Sequence, residues 1–280
     1  MEMEELEYDK SLTGHVEPIE AGEHVIEACF LDGTPVLAMT EGEVLLCAGK
    51  HHTQAQRIKV QPIKEYGATT ILVAASNAKR LVTGSDDGRI FETRADGSVA
   101  EIGNENGKWI DALALRDDGA TAWSVSKTVR ARDAKGVIKS FEAPTSVRGL
   151  AFMPKGYRLA LAHYNGVSLW FPNIVGKPDT LTWAGSHLDI TVSQDGAFVV
   201  TSMQENALHG WRVSDKKDMR MTGYPNKTRS FSWSHNGGWL ATSGADACVV
   251  WPYQSKDGPM GKAPRECGVR TPKVTRVAFH

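Results

Sequence analysis

Few residues of this 280-residue chain are spaced to do chemistry together. His51 and His52 follow Cys47 in CAGKHHTQAQRIKV, and thiolate and imidazole are ligands for zinc or nickel. Neighbours in an extended segment point to opposite faces, so one ion does not readily take both histidines, and a polar hairpin tip is the simpler reading. His187 stands alone and reads as a histidine bonded to a nearby hydroxyl or backbone group rather than as a general base. A fuller constellation appears when the turns are used as a ruler. Counting eight residues back from Gly119, Gly156, Gly196 and Gly237 puts Asp111, Arg148, Leu188 and Arg229 in one equivalent slot, with Thr70 close to it by a looser alignment. Tyr66, Trp109 and Lys227 lie in the connections that precede such slots. Arginine and aromatic side chains gathered in this way are the usual anchors of an interface, so the chemistry they offer is recognition.

Bond-making chemistry has less support. The chain has no GxSxG, HExxH, P-loop or GxGxxG after a strand. Hydrolases built on a ring of sheets draw their metal-binding acids from separate sheets and leave no local motif, so that class stays as the first alternative, with Asp111 and Asp189 as the acids near the mouth. No catalytic residue, metal ligand or cofactor is expected.

The elements that position these residues recur along the chain. SFSWSHNGGWLATSGADACVVW (230–251) alternates apolar and polar residues in three short runs parted by Asn236-Gly237-Gly238 and Gly244–Asp246. Three strands alone are marginal and need neighbours. The middle of the pattern returns as TPVLAMTEGEVLLC, KRLVTGSDDGRIFE, ATAWSVSKTVRARD, YRLALAHYNGVSLW and AFVVTSMQENALHGW, with copies starting near 35, 79, 120, 157, 197 and 238, or steps of 44, 41, 37, 40 and 41 residues. LALRDDG, LAFMPKG, ITVSQDG and FSWSHNG supply the strand before each copy. A period near forty with four strands per unit predicts an all-β fold, a β-propeller.

These units resemble the WD40 family over nearly the whole chain. The resemblance implies a buried network in each blade, joining a His before the first strand, a Ser or Thr in the second, an Asp in the next turn and a Trp ending the third. The matching residues are Ser85 and Asp87 in the second unit, His187, Ser202 and Trp211 in the fifth, where Asn206 replaces the Asp, and Ser243, Asp246 and Trp251 in the sixth. VTRVAFH (274–280) matches the first strand VRGLAFM (147–153). The expectation is therefore about seven four-stranded blades, six complete (near 25–65, 66–108, 109–145, 146–186, 187–227 and 228–273) and a seventh partial at 274–280, the competing reading being a closed six-bladed ring with the last strand as a clasp. Residues 1–24 form an acidic arm that is a candidate outer strand for the last blade.

Composition is consistent with one large domain: 41% hydrophobic, 23% charged, net charge −1. The arm hides in that average, since nine acids against Lys10 leave −8 over residues 1–27 and +7 over 28–280. MEMEELEYDK has no apolar core of a signal peptide, and no apolar run is long enough to cross a bilayer, so a cytoplasmic protein without membrane contact is expected. Cys29, Cys47, Cys248 and Cys267 are far apart in sequence and read as reduced thiols. The basic segments 50–65 and 253–273 raise nucleic-acid binding as a second alternative, but only Tyr253 is interleaved with their charge. The leading expectation is a non-catalytic scaffold that binds a protein or peptide on its loop face, without a specified oligomeric state. A rigid ring that carries variable loops is suited to that role.

Overall fold

In the structure, a computed structural model, residues 21–48, 54–59, 69–268, 273–277 and 279 are described. Residues 1–20 of the acidic arm, the His51-His52 pair and Tyr66 lie outside them. Every regular element among the described residues is a strand. The first sheet is β1 (Val25–Leu31), β2 (Thr34–Met39), β3 (Glu43–Ala48) and β4 (Gln54–Lys59); the second is β5 (Ile71–Asn77), β6 (Arg80–Ser85), β7 (Arg89–Arg94) and β8 (Val99–Asn104). The third is β9 (Ala112–Leu115), β10 (Thr121–Val125), β11 (Thr128–Arg132) and β12 (Ile138–Glu142). A six-stranded sheet follows: β13 (Gly149–Phe152), β14 (Leu159–Trp170), β15 (Asp179–Val192), β16 (Phe198–Met203), β17 (Leu208–Arg212) and β18 (Lys217–Met221). The last sheet is β19 (Phe231–Trp233), β20 (Trp239–Thr242), β21 (Cys248–Pro252) and β22 (Arg265–Cys267). All are antiparallel meanders in chain order, as short strands joined by tight turns require.

The described residues thus form five hydrogen-bonded sheets, not seven, and residues 273–277 and 279 form no strand. The difference has a local cause. Where the expected fourth and fifth units meet, β14 and β15 run through positions that turn elsewhere in the chain. Leu159–Ala162 of β14 pairs with β13, while Gly166–Leu169 pairs with Asp179–Thr182 of β15, and the far half of β15 pairs with β16. β14 nevertheless doubles back, because His163 Nε2 and Ser168 Oγ are 2.9 Å apart although five residues separate them. Asn165 (φ 67°) and Gly166 (φ 137°) make that reversal.

Apolar faces pack sheet against sheet. Leu31, Val36 and Val44 meet Leu81 and Phe91 between the first and second sheets, Val82 and Ile90 meet Ile110 and Trp123 between the second and third, and Val129 and Ala131 meet Leu150 and Leu161 beyond that. Val167 and Leu169 pack on Val199 and Trp211 within the six-stranded sheet itself, and Leu208 and Met219 pack on Leu240 and Trp251 of the last. Arg80, buried in the second sheet, joins this packing to polar order: it pairs with Glu92 at 2.9 Å and donates to Thr121 Oγ1 and the Ala120 carbonyl of the third. Burial pushes the Glu92 carboxyl up, but its bonds to Arg80 and Arg94 outweigh that and hold it below the usual range.

The first strands of the units stand side by side, β1 next to β5, β5 to β9, β9 to β13 and β13 to β15. Gly149 in β13 lets this happen, since a Cβ there would collide with the Leu188 carbonyl oxygen. The sheets therefore radiate from a common axis, which is the propeller arrangement.

Candidate binding site at the ring axis

A cavity of about 570 Å³ occupies the axis. Its wall takes residues from the innermost strand of each unit: Ile26 and Glu27 of β1, Leu72 to Ala74 of β5, Asp111 before β9, Arg148 before β13, Leu188 and Asp189 of β15, and Arg229 before β19, with Gln204 and Arg276. The equivalent slot read from the turn glycines is therefore one place, where Asp111, Arg148, Leu188 and Arg229 meet. Arg148 Nη1 donates to Asp111 Oδ1 at 2.8 Å, and Asp111 Oδ2 accepts the Ser126 N–H at 2.7 Å. Glu27, Asp189 and Arg276 complete the charged ring. Asp189 was visible as an acid near the mouth; Arg276 was within reach, because VTRVAFH aligned on VRGLAFM puts it one position beyond the slot, beside Asp189 in its own repeat.

Burial pushes the Asp189 carboxyl up, opposed by Arg229, Arg276, Ser202 and Arg148. Burial pushes Glu27 up too, opposed by Arg276 and the Ala28 N–H. Three arginines, Arg148, Arg229 and Arg276, and three acids, Asp111, Glu27 and Asp189, thus face one another in the cavity wall. Among the described residues its wall has no histidine, cysteine, serine or threonine. Among the described residues no group of three or more His, Cys, Asp and Glu side chains is placed to hold a metal ion. The arrangement can receive charged and hydrogen-bonding groups of a partner.

Three other expected site residues stand outside the cavity wall. Thr70 turns to the second sheet, its N–H bonded to Asp86 Oδ1 at 3.1 Å. Trp109 is 66% exposed, and Lys227 is half-buried. Trp109 shares an end of the ring with the mouth, because connections and turns at that end bond to one another: Gly107 N to Asp87 O, Val147 N to Ser126 O, Tyr164 N to Thr145 Oγ1 and Gln204 N to Ser186 O. Tyr164 and Trp183 are exposed at the same end. Sequence reading missed both, Tyr164 as part of a strand repeat and Trp183 as an unremarked connection.

The expected networks take different forms: in the second unit Ser85 Oγ donates to Asp87 Oδ1 at 2.8 Å. Elsewhere they are displaced by one residue. His187 bonds Thr201 Oγ1 at 2.7 Å, with Trp211 packed on the two histidine rings, His187 and His209, and Ser202 instead accepts the Asp189 N–H in the axis wall. In the sixth unit Trp251 Nε1 donates to Tyr224 Oη, which bonds Thr242 Oγ1, each at 2.6 Å. Ser243 Oγ accepts the N–H groups of Arg229 and Ser230, and Asp246 is exposed. Side chains alternate along a strand, so Thr201 and Thr242 face the neighbouring sheet while the next residue faces away.

Of the basic segment 253–273, residues 253–268 and 273 are described, and some of its side chains are engaged within the fold. Tyr253 is buried, Arg265 stacks on Trp239 at 4.5 Å and Lys262 donates to Ser255. No aromatic face is left there to stack a base.

Residues 217–251 match the WD40 family (WD domain, G-beta repeat), a span that runs from β18 to β21. No protein with a curated description matches the chain. Among solved structures 1546 chains match, a number that makes the fold common and its likeness uninformative about function. One is a chain of a structure titled "Crystal Structure of Mitotic Checkpoint Complex", 12% identical, TM-score 0.71, covering 91% of this chain and 80% of that one. Residues 217–251 are thus a WD40 repeat, and the chain that carries it folds as a β-propeller.

Proposed function

We propose that this propeller is a non-catalytic scaffold that holds a protein or peptide at the end of the ring where the axial cavity opens. The observation that carries the reading is the convergence of Asp111, Arg148 and Arg229 on one cavity, with Trp109, Tyr164 and Trp183 exposed around the same end. Aromatic and arginine anchors on a rigid support bind with little ordering cost.

The six-stranded sheet folds back on itself at Asn165 and Gly166 and carries an apolar core between its halves. Residues 274–277 and 279 act as a clasp: Val277 N and Phe279 N donate to Ser230 and Ser232 Oγ of the last sheet.

The test is affinity capture from the native cell followed by binding of the purified partner to the wild type and to a folded Trp109→Ala, Arg148→Glu, Arg229→Glu variant. The variant is expected to bind at least tenfold more weakly, about 1.4 kcal/mol. A partner held equally well by both would remove the axial end as its site.

A further inference from the structure

Cys248 and Cys267 are separated by the long segment 249–266, yet the fold sets them directly opposite each other. They are register partners across the antiparallel pair β21 and β22. Opposed residues in such a pair project to the same face with Cα atoms about 4.5–5.5 Å apart, inside the range that a disulfide spans. Both thiols are free, Cys248 half-buried and Cys267 exposed. Cys29 and Cys47 lie on β1 and β3 of the first sheet.

We propose that Cys248 and Cys267 form a reversible dithiol–disulfide site, oxidised by exchange with a low-molecular-weight disulfide such as oxidised glutathione. The exposed Cys267 thiolate attacks one sulfur of the oxidant, whose S–S bond breaks and releases one thiolate, leaving a mixed disulfide on Cys267. Cys248 gives its proton to solvent and attacks Cys267 Sγ, breaking the mixed disulfide and releasing the second thiolate. Two protein thiols become one disulfide, and one disulfide becomes two small thiols. The order follows from exposure and from burial, which raises the Cys248 thiol and makes it the poorer first nucleophile. The consequence is mechanical. β22 is three residues long, wholly exposed and at the edge of its sheet, the kind of strand that opens locally. The bond pins it to β21 at the point from which the chain leads on to Arg276 in the axial wall.

The purified, reduced full chain is equilibrated with oxidised and reduced glutathione at graded ratios, alkylated and mapped by mass spectrometry, alongside Cys248→Ser and Cys267→Ser. The wild type is expected to lose two alkylatable thiols, to yield a tryptic cross-link between the peptides that contain Cys248 and Cys267, and to keep Cys29 and Cys47 alkylated. The Cys248→Ser variant is expected to stop as the glutathione mixed disulfide on Cys267, and native tryptic cleavage after Arg265 to be lost on oxidation of the wild type only. A wild-type protein that stops at the mixed disulfide, or that links Cys267 to Cys29, Cys47 or a second molecule, overturns the proposal. Should either serine variant fail to fold, the wild-type peptide map decides alone.

Discussion

His209 lies under Trp183, ring centroids 4.1 Å apart and planes 21° from parallel, with its side chain fully enclosed. Neither ring nitrogen has a hydrogen-bond partner among the described residues; Asp218 Oδ2 is 3.4 Å from Nε2, near enough for attraction but not aligned as an acceptor. Burial pushes the imidazole down to about 4, Asp218 pulls it back, and His187 and Arg220 push it further down. Its unfolded value is near 6.5, so between pH 6.5 and 4 the unfolded chain binds more protons and stability falls as the pH falls. His163 and His187, also lowered by burial, act with the same sign. Going from pH 7 to 5 is expected to cost about 2 kcal/mol through His209, measured by urea unfolding. His209→Phe keeps the stack and should flatten that part of the profile, whereas an unchanged profile would mean that other groups set it. Legibility in the sequence differed sharply at this scale. Asp111, Arg148 and Arg229 were found because a fixed count from a turn glycine is a spatial coordinate in a repeat. Glu27 and the unbonded His209 were missed because their roles come from burial by other units.

Between Asn165 and Gly166 the chain reverses inside what is one continuous run of extended backbone, and glycine is required there for two reasons. Gly166 has φ 137°, and a Cβ would strike the Leu181 carbonyl oxygen on the paired strand. Gly166→Ala is expected to cost about 3 kcal/mol by urea unfolding, from strain and collision together. Gly176, where a Cβ meets nothing within 4 Å, is the control, and Gly176→Ala should be near neutral. Equal effects of the two would remove the reversal from the account. The sequence shows the strands readily, since YRLALAHYNGVSLW has apolar runs on both sides of a turn dipeptide. It does not show that these strands would join β15 and β16 in one sheet, because hydrogen-bond continuity between units leaves no mark on local alternation. The same limit explains Thr201 and Thr242: in VTS and ATS both residues are hydroxylic, and only the facing sheet decides which one points into it.

Closure of the ring depends on residues far apart in the chain. From β1 to β15 each inner strand leans on the next, while the space between β1 and β19 is bridged by Arg276. Its Nη1 donates to the Arg229 carbonyl at 2.8 Å and its Nη2 to the Ile26 carbonyl at 2.6 Å, a link across 250 residues. The forty-residue period made the ring legible, since units that bury their faces only against each other must stack around an axis. The bridge was not legible, because no local pattern pairs position 26 with position 276. Charge-assisted bonds of this kind contribute about 1.5–3 kcal/mol each before competing losses, so Arg276→Met, which keeps the aliphatic stem, is expected to lower stability by about 2 kcal/mol. The loss should be uneven. Amide exchange in β1 and β19 should quicken well before that in β9 and β13, which are held by neighbours on both sides. Uniform acceleration across all sheets would instead mean that the ring opens as one unit and that Arg276 carries no special share of its closure.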